Sequence, residues 1–530
     1  MQVHRSRFAF LAMGLWVGVA SASFGGTSID DDTARREMTA RIDALLQQQW
    51  SAANVEPAPL ATDGEFLRRA YLDLTGVIPR ASEVREFLAD ERPEKRALLV
   101  DQLLASPRHA THMATTWRNR ILPLGVDPAR SREAMGLQKW LRTRFAGNLR
   151  YDNLVGELLL TIGGDELGPA LYFQANDLSP EKLAASSAEL FLGLKLECAQ
   201  CHDHPYSDWS QRDFWGLAAF FARVKAPADG RGMMMASYRI VDADRGEVRL
   251  PESDEIVRPK YPRGKEASDE VRRTRRTQLA IWMTSRDNDY FARAAVNWAW
   301  THLFGVALIE SLDHLDDEDA SIQLQILDEL ARYFVASDFD LRDLWQTLAA
   351  TRAYHLSSRP IAGDSAGPHL FARMLAKPLT PEQLYDSFIV LSPPRATYAV
   401  GYAQAQPAGS LDEDPARAEF VRRMRPPPGS ATEYRAGTLQ ALMLMNGPLT
   451  GGVTAHDRSH LVGALDAPFM DESAQVESLF LAVLARPPDE DEQRACIAAL
   501  QETDSPDERQ RALSDIMWAL VNSTEFAFNH

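Results

Sequence analysis

Apolar residues recur at helical spacing along most of this 530-residue chain, and this period constrains its fold more than any other feature. In DDTARREMTARIDALLQQQW, for example, Met38, Ile42 and Leu45 fall on one stripe of a helix. The alternation that is typical of strands occurs between residues 226 and 265, among several prolines and turn residues. The pattern predicts a mainly α-helical protein with two helical domains joined by a short β-containing linker.

Changes in this pattern predict where the domains begin and end. The first helical domain is expected at residues 23–225 and the short-strand linker at 226–265. The second helical domain is expected in two parts, at 266–392 and 439–530. Between these parts, residues 393–438 are rich in proline and glycine and predict a loop insertion.

Capping residues predict several helix ends in the first domain. The helix in TDGEFLRRAYLDLTG is expected to end at Gly76. A helix rich in small residues is expected to begin at Lys182 and to end at Cys198. The next helix is expected to begin near Ser210, because Ser210 and Asp213 have capping-box spacing.

The N-terminus resembles a secretory signal peptide of residues 1–22. Arg5 and Arg7 supply positive charge, the apolar run FAFLAMGLWVGVA follows, and ASA places small residues at a cleavage site. The apolar run is short for a spanning helix, which needs roughly 20 apolar residues. We therefore expect export through the general secretory route to the periplasm or the extracellular space, with no stable transmembrane span after cleavage. An uncleaved membrane anchor is the alternative.

Charge narrows the classes of partner. The formal net charge of −17 argues against nucleic-acid binding, which needs a basic surface. The segment Asp313–Ser321 contains five acidic residues but lacks the glycine of an EF-hand loop, so we expect a solvated helix N-terminus there. The basic segment Val271–Arg276 predicts a solvated helix face or a contact with an acidic partner.

Two of the three cysteines stand close together in ECAQCHDHPYSDW. Cys198 and Cys201 are three positions apart, and His202 follows the second directly. C-x-x-C-H is the attachment sequence of c-type haem. Each thiol can add to one haem vinyl group, and the adjacent histidine then lies under the iron as an axial ligand. We therefore expect haem c at these three residues, in a protein that transfers electrons or binds a small ligand.

Three other interpretations of this motif stay open. Cys198, Cys201, His202 and His204 can hold zinc, although four donors within seven residues crowd a tetrahedral site. The two cysteines can instead form a redox-active disulfide, although the helical flanks do not suit a thioredoxin-like domain. In the third interpretation the cysteines are a reduced structural pair without a cofactor.

A haem at this motif would have a sixth coordination position on its other face. Methionine is one candidate ligand, supplied by the run Met233–Met235. His109 and His112 are candidates on an earlier helix, although a helical histidine is more often structural. An open sixth position would favour ligand binding over electron transfer.

The motif and its surroundings resemble a known family. FLRRAYLDLTGVIP, KRALLVDQLLASPRH and ECAQCHDHPYSDWSQRDFWGLAAFF resemble a planctomycete-type cytochrome-associated domain of unknown function. LAIWMTSRDNDYFARAAVNWAWTHLFGVALIE, KPLTPEQLYDSF and LFLAVLARPPDEDEQ resemble the companion planctomycete-specific domain of unknown function. Asn297-Trp298 departs from the asparagine-arginine pair that is usual in that domain.

The resemblance implies an exported, mainly helical, two-domain bacterial protein without an established activity. Relatives carry fused cytochrome-c-like modules or occur beside genes for an exported sulfatase-like protein. The resemblance therefore implies a redox partner or a sulfatase-like protein as the binding partner.

Two further functions agree with the sequence. One is a non-haem helical binding or scaffolding protein with zinc or a disulfide at the motif, associated with the degradation of extracellular polymers. The other is a hydrolase whose catalytic residues are unknown, because the chain lacks GxSxG, HExxH and P-loop motifs and no pair of carboxylates stands out.

Overall fold

The predicted mainly α-helical fold is confirmed in a computed structural model of the chain. The structure describes residues 29–122, 132–163, 168–204, 207–227, 239–253, 255–268, 272–314, 321–360, 367–391, 414–425, 438–465, 467 and 469–530. The expected signal peptide lies outside these residues.

Among the described residues, ten α-helices precede the strands. They are α1 Ile29–Ala52, α2 Asp63–Thr75, α3 Ala81–Ala89, α4 Lys95–Leu104, α5 Pro107–Ile121, α6 Arg132–Ala146, α7 Tyr151–Leu160, α8 Ala170–Ala175, α9 Pro180–Ser187 and α10 Gln211–Ala218. Between α9 and α10 lie a π-helix at Ala188–Leu192 and a 3₁₀ helix at Leu196–Gln200.

The later part of the chain is also helical. Its α-helices are α11 Arg275–Met283, α12 Asp289–Phe304, α13 Ile322–Ala336, α14 Leu341–Ala350, α15 Pro381–Leu391, α16 Pro415–Met424, α17 Thr438–Asn446, α18 Pro448–Thr454, α19 His460–Leu465, α20 Glu472–Leu484, α21 Glu490–Gln501, α22 Pro506–Val521 and α23 Thr524–Ala527. Short 3₁₀ helices lie at Leu312–His314, Arg352–His355 and Pro368–Leu370.

The strands are two residues long and pair antiparallel. β1 Val224–Lys225 pairs with β2 Val241–Asp242, and β3 Val248–Arg249 pairs with β4 Ile256–Val257. Strands β2 to β4 lie within the predicted segment 226–265, and β1 lies just before it. A third pair, between β5 Lys377–Pro378 and β6 Phe528–Asn529, joins segments that are far apart in sequence.

Helix α2 is deeply buried, with eleven of its thirteen residues largely out of contact with solvent. The hydroxyl of Thr62 accepts a hydrogen bond from Glu65 N and caps its start. Gly76 ends it at a φ of 72°, as the sequence predicts. A Cβ at Gly76 would lie 2.4 Å from His112 Nδ1, so this position requires glycine for space as well as for conformation.

Two arginines of α2 bind main-chain oxygens of the C-terminal half. Arg68 donates to Val483 O at 2.9 Å and to Phe526 O at 2.8 Å. Arg69 donates to Tyr354 O at 2.5 Å. The largest apolar cluster likewise draws its residues from both halves, from Ile42 to Ala485. Residues of α2 belong to both large apolar clusters, so this helix from the first half packs against the second half as well.

One predicted helix end is wrong, and part of the expected loop is helical. The helix expected from Lys182 to Cys198 stops at Ser187, because the chain passes into the π-helix and then turns at Gly193 with a φ of 67°. The expected loop 393–438 contains α16, which packs on α15 and forms an ion pair between Arg417 Nε and Asp386 Oδ1 at 2.7 Å.

Each charged segment has a buried member among the described residues, whereas Arg272 and Arg273 are exposed as predicted. Asp313 is buried and accepts hydrogen bonds, so the start of the acidic segment is internal. Arg276 is also buried and donates to Asp242 Oδ2 at 2.8 Å and to Thr161 O at 2.6 Å. Arg275 pairs with Glu247 at 2.9 Å. These arginines bind within the protein because intramolecular acceptors compensate the cost of their burial.

Candidate functional site

The C-x-x-C-H motif lies on the surface, on the 3₁₀ helix at Leu196–Gln200 and the turn that follows. The side chains of Leu196 and Ala199 are buried and anchor this helix in the core. Cys198, Cys201 and His202 are all exposed. Both thiols are free, so the structure contains no disulfide between them.

Helix α10 holds the main chain of the motif. Gln211 Nε2 donates to Gln200 O at 3.2 Å and to Cys201 O at 2.9 Å. Trp215 Nε1 also donates to Gln200 O, at 3.1 Å. Gln211 N donates to Asp203 Oδ1 at 2.8 Å, which fixes the chain beyond the histidine. The peptide groups of the motif are therefore restrained while its reactive side chains remain accessible.

The start of α10 is itself fixed by the predicted capping box. Ser210 Oγ accepts from Asp213 N at 3.2 Å, and Ser210 N donates to Asp213 Oδ2 at 3.1 Å. Lys260 Nζ donates to the other carboxylate oxygen of Asp213 at 2.7 Å. Burial raises the pKa of Asp213, but the hydrogen bonds from Lys260 and Ser210 outweigh it and hold this pKa below its usual value. The cap therefore stays ionised.

The chain that enters the motif is held from the second half. Lys195 N donates to Asp313 Oδ1 at 3.1 Å, and Ser311 Oγ donates to Asp313 Oδ2 at 2.5 Å. A Cβ at Gly193 would lie 2.7 Å from Leu312 Cδ1, so glycine allows this close approach. Asp313 thus positions the motif, a role that the sequence did not predict.

His202 has one ring nitrogen available for coordination. Its Nδ1 lies 2.7 Å from Asp203 O. A carbonyl oxygen only accepts hydrogen bonds, so Nδ1 is the donor in this contact and Nε2 is the ring nitrogen left for coordination. Histidines that bind metals are commonly oriented in this way by a backbone carbonyl.

Among the described residues, the other predicted ligands form no metal-binding group with His202. His204 is half-buried, and its main-chain N donates to Trp209 O at 2.8 Å. Across the described ranges, no three His, Cys, Asp or Glu side chains form a metal-binding group. Met233–Met235 and the turn at Pro205 lie outside those ranges.

His109 and His112 contact other helices. His109 Nδ1 donates to Leu74 O at 2.8 Å, at the end of α2. The ring of His112 lies 5.6 Å from the ring of His302 in α12. Both histidines therefore contribute to packing between helices.

A second polar cluster, centred on Asp73, was not predicted. The Asp73 carboxylate accepts from Lys377 Nζ at 2.7 Å, from Asn529 Nδ2 at 2.7 Å and from Tyr354 OH at 3.0 Å. His302 Nε2 donates to the main-chain oxygen of Asp73 at 2.9 Å. Burial lowers the pKa of His302, although the Asp73 carboxylate opposes this effect. Sequence reasoning missed the cluster because its members are hundreds of residues apart.

An open groove of about 770 Å³ lies between α6, α7 and the loop after α7. Its lining includes Trp140, Arg144 and Glu157, and none of the motif residues line it. Arg144 pairs with Glu157 at 2.9 Å and lies over the Trp140 ring. The charge of Arg144 is therefore already paired within the groove.

Comparison with known proteins gives two matches in chain order. Residues 41–226 match the PSCyt2 family model, described as a protein of unknown function (DUF1549). Residues 275–430 match the PSD1 family model, described as a protein of unknown function (DUF1553). No curated protein and no solved structure matches the chain. Among the described helices, none is long and apolar enough to cross a membrane.

Proposed function

The chain belongs to the two-domain family in which PSCyt2 precedes PSD1, and from this premise we propose that it is an exported protein with c-type haem at its C-x-x-C-H motif. Cys198 and Cys201 would hold the haem, and His202 would be its axial ligand. The function would be electron transfer or binding of a small ligand in the cell envelope.

One observation carries the proposal: two free, exposed thiols stand beside an exposed histidine whose Nδ1 bonds to Asp203 O. Thioether attachment needs accessible thiols, and coordination needs a neutral imidazole with a free nitrogen. The donor set therefore fits the group in chemical type. When bound, haem would supply reversible one-electron chemistry or an iron site for a small ligand.

The protein would contribute a fixed attachment point. Gln211 and Trp215 restrain the carbonyl groups of Gln200 and Cys201, so the two cysteine positions keep their spacing. Asp203 O holds the proton of His202 on Nδ1 and orients the ring.

Expression of the full chain for export, together with haem-maturation enzymes, tests the proposal. We expect a Soret band that remains with the polypeptide after denaturation. Cys201→Ser should weaken attachment, and His202→Ala should leave attached haem with a changed spectrum. Cys496→Ser is the matched control, because Cys496 lies on α21 away from the motif sequence and should leave the band unchanged. A wild-type protein without covalent haem would refute the proposal.

A second candidate is a non-haem binding or scaffolding protein in extracellular polymer degradation. The surface position of the motif favours it, because exposed thiols and His202 can equally meet a metal ion or a partner. Metal analysis and thiol titration of haem-free exported protein test this candidate. Bound zinc would support a metal site. One free thiol in place of three would support a disulfide. Three free thiols without metal would contradict both.

A further inference from the structure

Arg120, in the last turn of α5, carries a positive charge without an ion-pair partner among the described residues. Its Nη2 donates to Leu190 O at 3.0 Å, whereas its buried Nη1 has no hydrogen-bond partner in the structure. Among the described residues, no carboxylate lies within ion-pair distance of it. Glu189 acts on it only through longer-range attraction. Because arginine remains protonated in proteins, the positive charge persists.

Aromatic rings enclose this guanidinium. Its carbon lies 5.1 Å from the Trp117 ring centroid and 5.2 Å from the Trp298 ring centroid. The two indoles pack edge to face at 4.9 Å. These rings exclude water from the guanidinium and give it only weak electrostatic compensation.

Two more buried donors adjoin Arg120. Trp117 Nε1 and Tyr151 OH each lack a hydrogen-bond partner in the structure. The rings of Trp117 and Tyr151 are 5.6 Å apart, and burial raises the pKa of the Tyr151 phenol while the charge of Arg120 opposes that rise. Buried polar groups without partners cost free energy, and three such groups in contacting side chains point to a shared ligand.

We propose that Arg120, Trp117 and Tyr151 bind one small monovalent anion, of the size and charge of chloride. The site offers three donors and a single positive charge, so one negative charge neutralises it. A sulfate or a doubly charged phosphate would leave an unmatched negative charge near Glu189. A water molecule would satisfy the donors but would leave the guanidinium charge uncompensated.

The site would join elements that support the C-x-x-C-H motif. Trp117 and Arg120 lie on α5, Tyr151 begins α7, and Leu190 belongs to the π-helix. That π-helix leads through Gly193 into the motif. A bound anion would therefore stabilise the packing on which the motif is built.

Thermal unfolding of the full chain at constant ionic strength tests the site. As chloride or bromide replaces gluconate, we expect a saturable increase in melting temperature, because a ligand that binds only the folded state stabilises it. Sulfate should give no saturable response. Arg120→Met should abolish the halide response. Tyr151→Phe removes one donor and should raise the half-saturating concentration about tenfold.

Tyr172→Phe is the control, because Tyr172 is equally buried but its hydroxyl bonds to Ser187 at 2.7 Å. It should lower stability without changing the halide response. Equal melting temperatures in chloride and gluconate, or an unchanged response in Arg120→Met, would overturn the proposal. If Arg120→Met does not fold, a bromide-soaked crystal of the wild type decides: we expect an anomalous peak beside Arg120, and its absence refutes the site.

Discussion

Replacement of Asp73 by asparagine would test whether the Asp73 cluster holds the two halves together. The substitution preserves shape but removes the charge that faces Lys377. Asp73 is 3 % exposed, and its carboxylate accepts three hydrogen bonds. The substitution therefore leaves a largely buried ammonium group without its counter-ion.

The structure sets the size of the effect. Removal of one partner of a buried ion pair costs about 3–5 kcal/mol. The Lys377 side chain is 19 % exposed and keeps bonds to His302 O at 2.9 Å and Leu303 O at 2.5 Å. These contacts moderate the loss, so we expect Asp73→Asn to lower the free energy of unfolding by about 3 kcal/mol. The double variant with Lys377→Met should recover much of this loss, because no unpaired charge remains.

Equilibrium urea unfolding, followed by circular dichroism, measures these differences. Asp90→Asn is the matched control: Asp90 pairs with Arg92 at 2.7 Å on the surface, where such pairs contribute little. It should leave the unfolding midpoint unchanged. If Asp73→Asn lowers the free energy of unfolding by less than about 1 kcal/mol, the cluster contributes no more than a surface ion pair. That result would refute the argument that it holds the two halves together. A double variant no more stable than Asp73→Asn would also contradict it.

Two further predictions concern the end of α2. Burial lowers the pKa of His109 to about 4, so below pH 6.5 the unfolded chain binds the proton more readily and stability falls with falling pH. Urea unfolding should show a loss of roughly 3 kcal/mol from this group between pH 6.5 and 4, and His109→Gln should flatten the slope. Gly76→Ala should cost about 2 kcal/mol or more through its positive φ and its contact with His112. Gly156→Ala, in open space within α7, should instead stabilise by about 0.5–1 kcal/mol; equal effects at the two glycines would contradict the steric argument.

Local signals in the sequence predicted local structure. The helical class follows from the period of apolar residues, and Gly76 and Ser210 mark helix ends through interactions with residues a few positions away. The motif Cys198–His202 was also recognisable, because its cysteines and histidine lie within five consecutive residues. Haem attachment and the location of the protein remain predictions.

Interactions between distant segments were not predictable in this way. Asp73 and Asn529 are 456 positions apart, and nothing near either residue identifies the other as its partner. In the sequence, Arg276 belongs to a basic stretch that predicts a surface position. In the structure it donates to Asp242 and to Thr161 O instead. The π-helix before Gly193 likewise depends on packing, because the sequence from Lys182 onward continues an ordinary helical pattern.

The burial of α2 bears on how the chain folds as it is made. Synthesis runs from the N-terminus, so α2 emerges long before the segments that bind Arg68 and Asp73. Tyr354 and Lys377 lie 281 and 304 positions after Asp73, and the other partners lie 415 to 458 positions after the residues they bind. Until those segments arrive, its buried arginines lack their acceptors, and closing such long loops is slow. The first half therefore cannot complete its core ahead of the second. For a protein that must be threaded unfolded across a membrane, as we propose here, this delay would keep the chain in a transportable state.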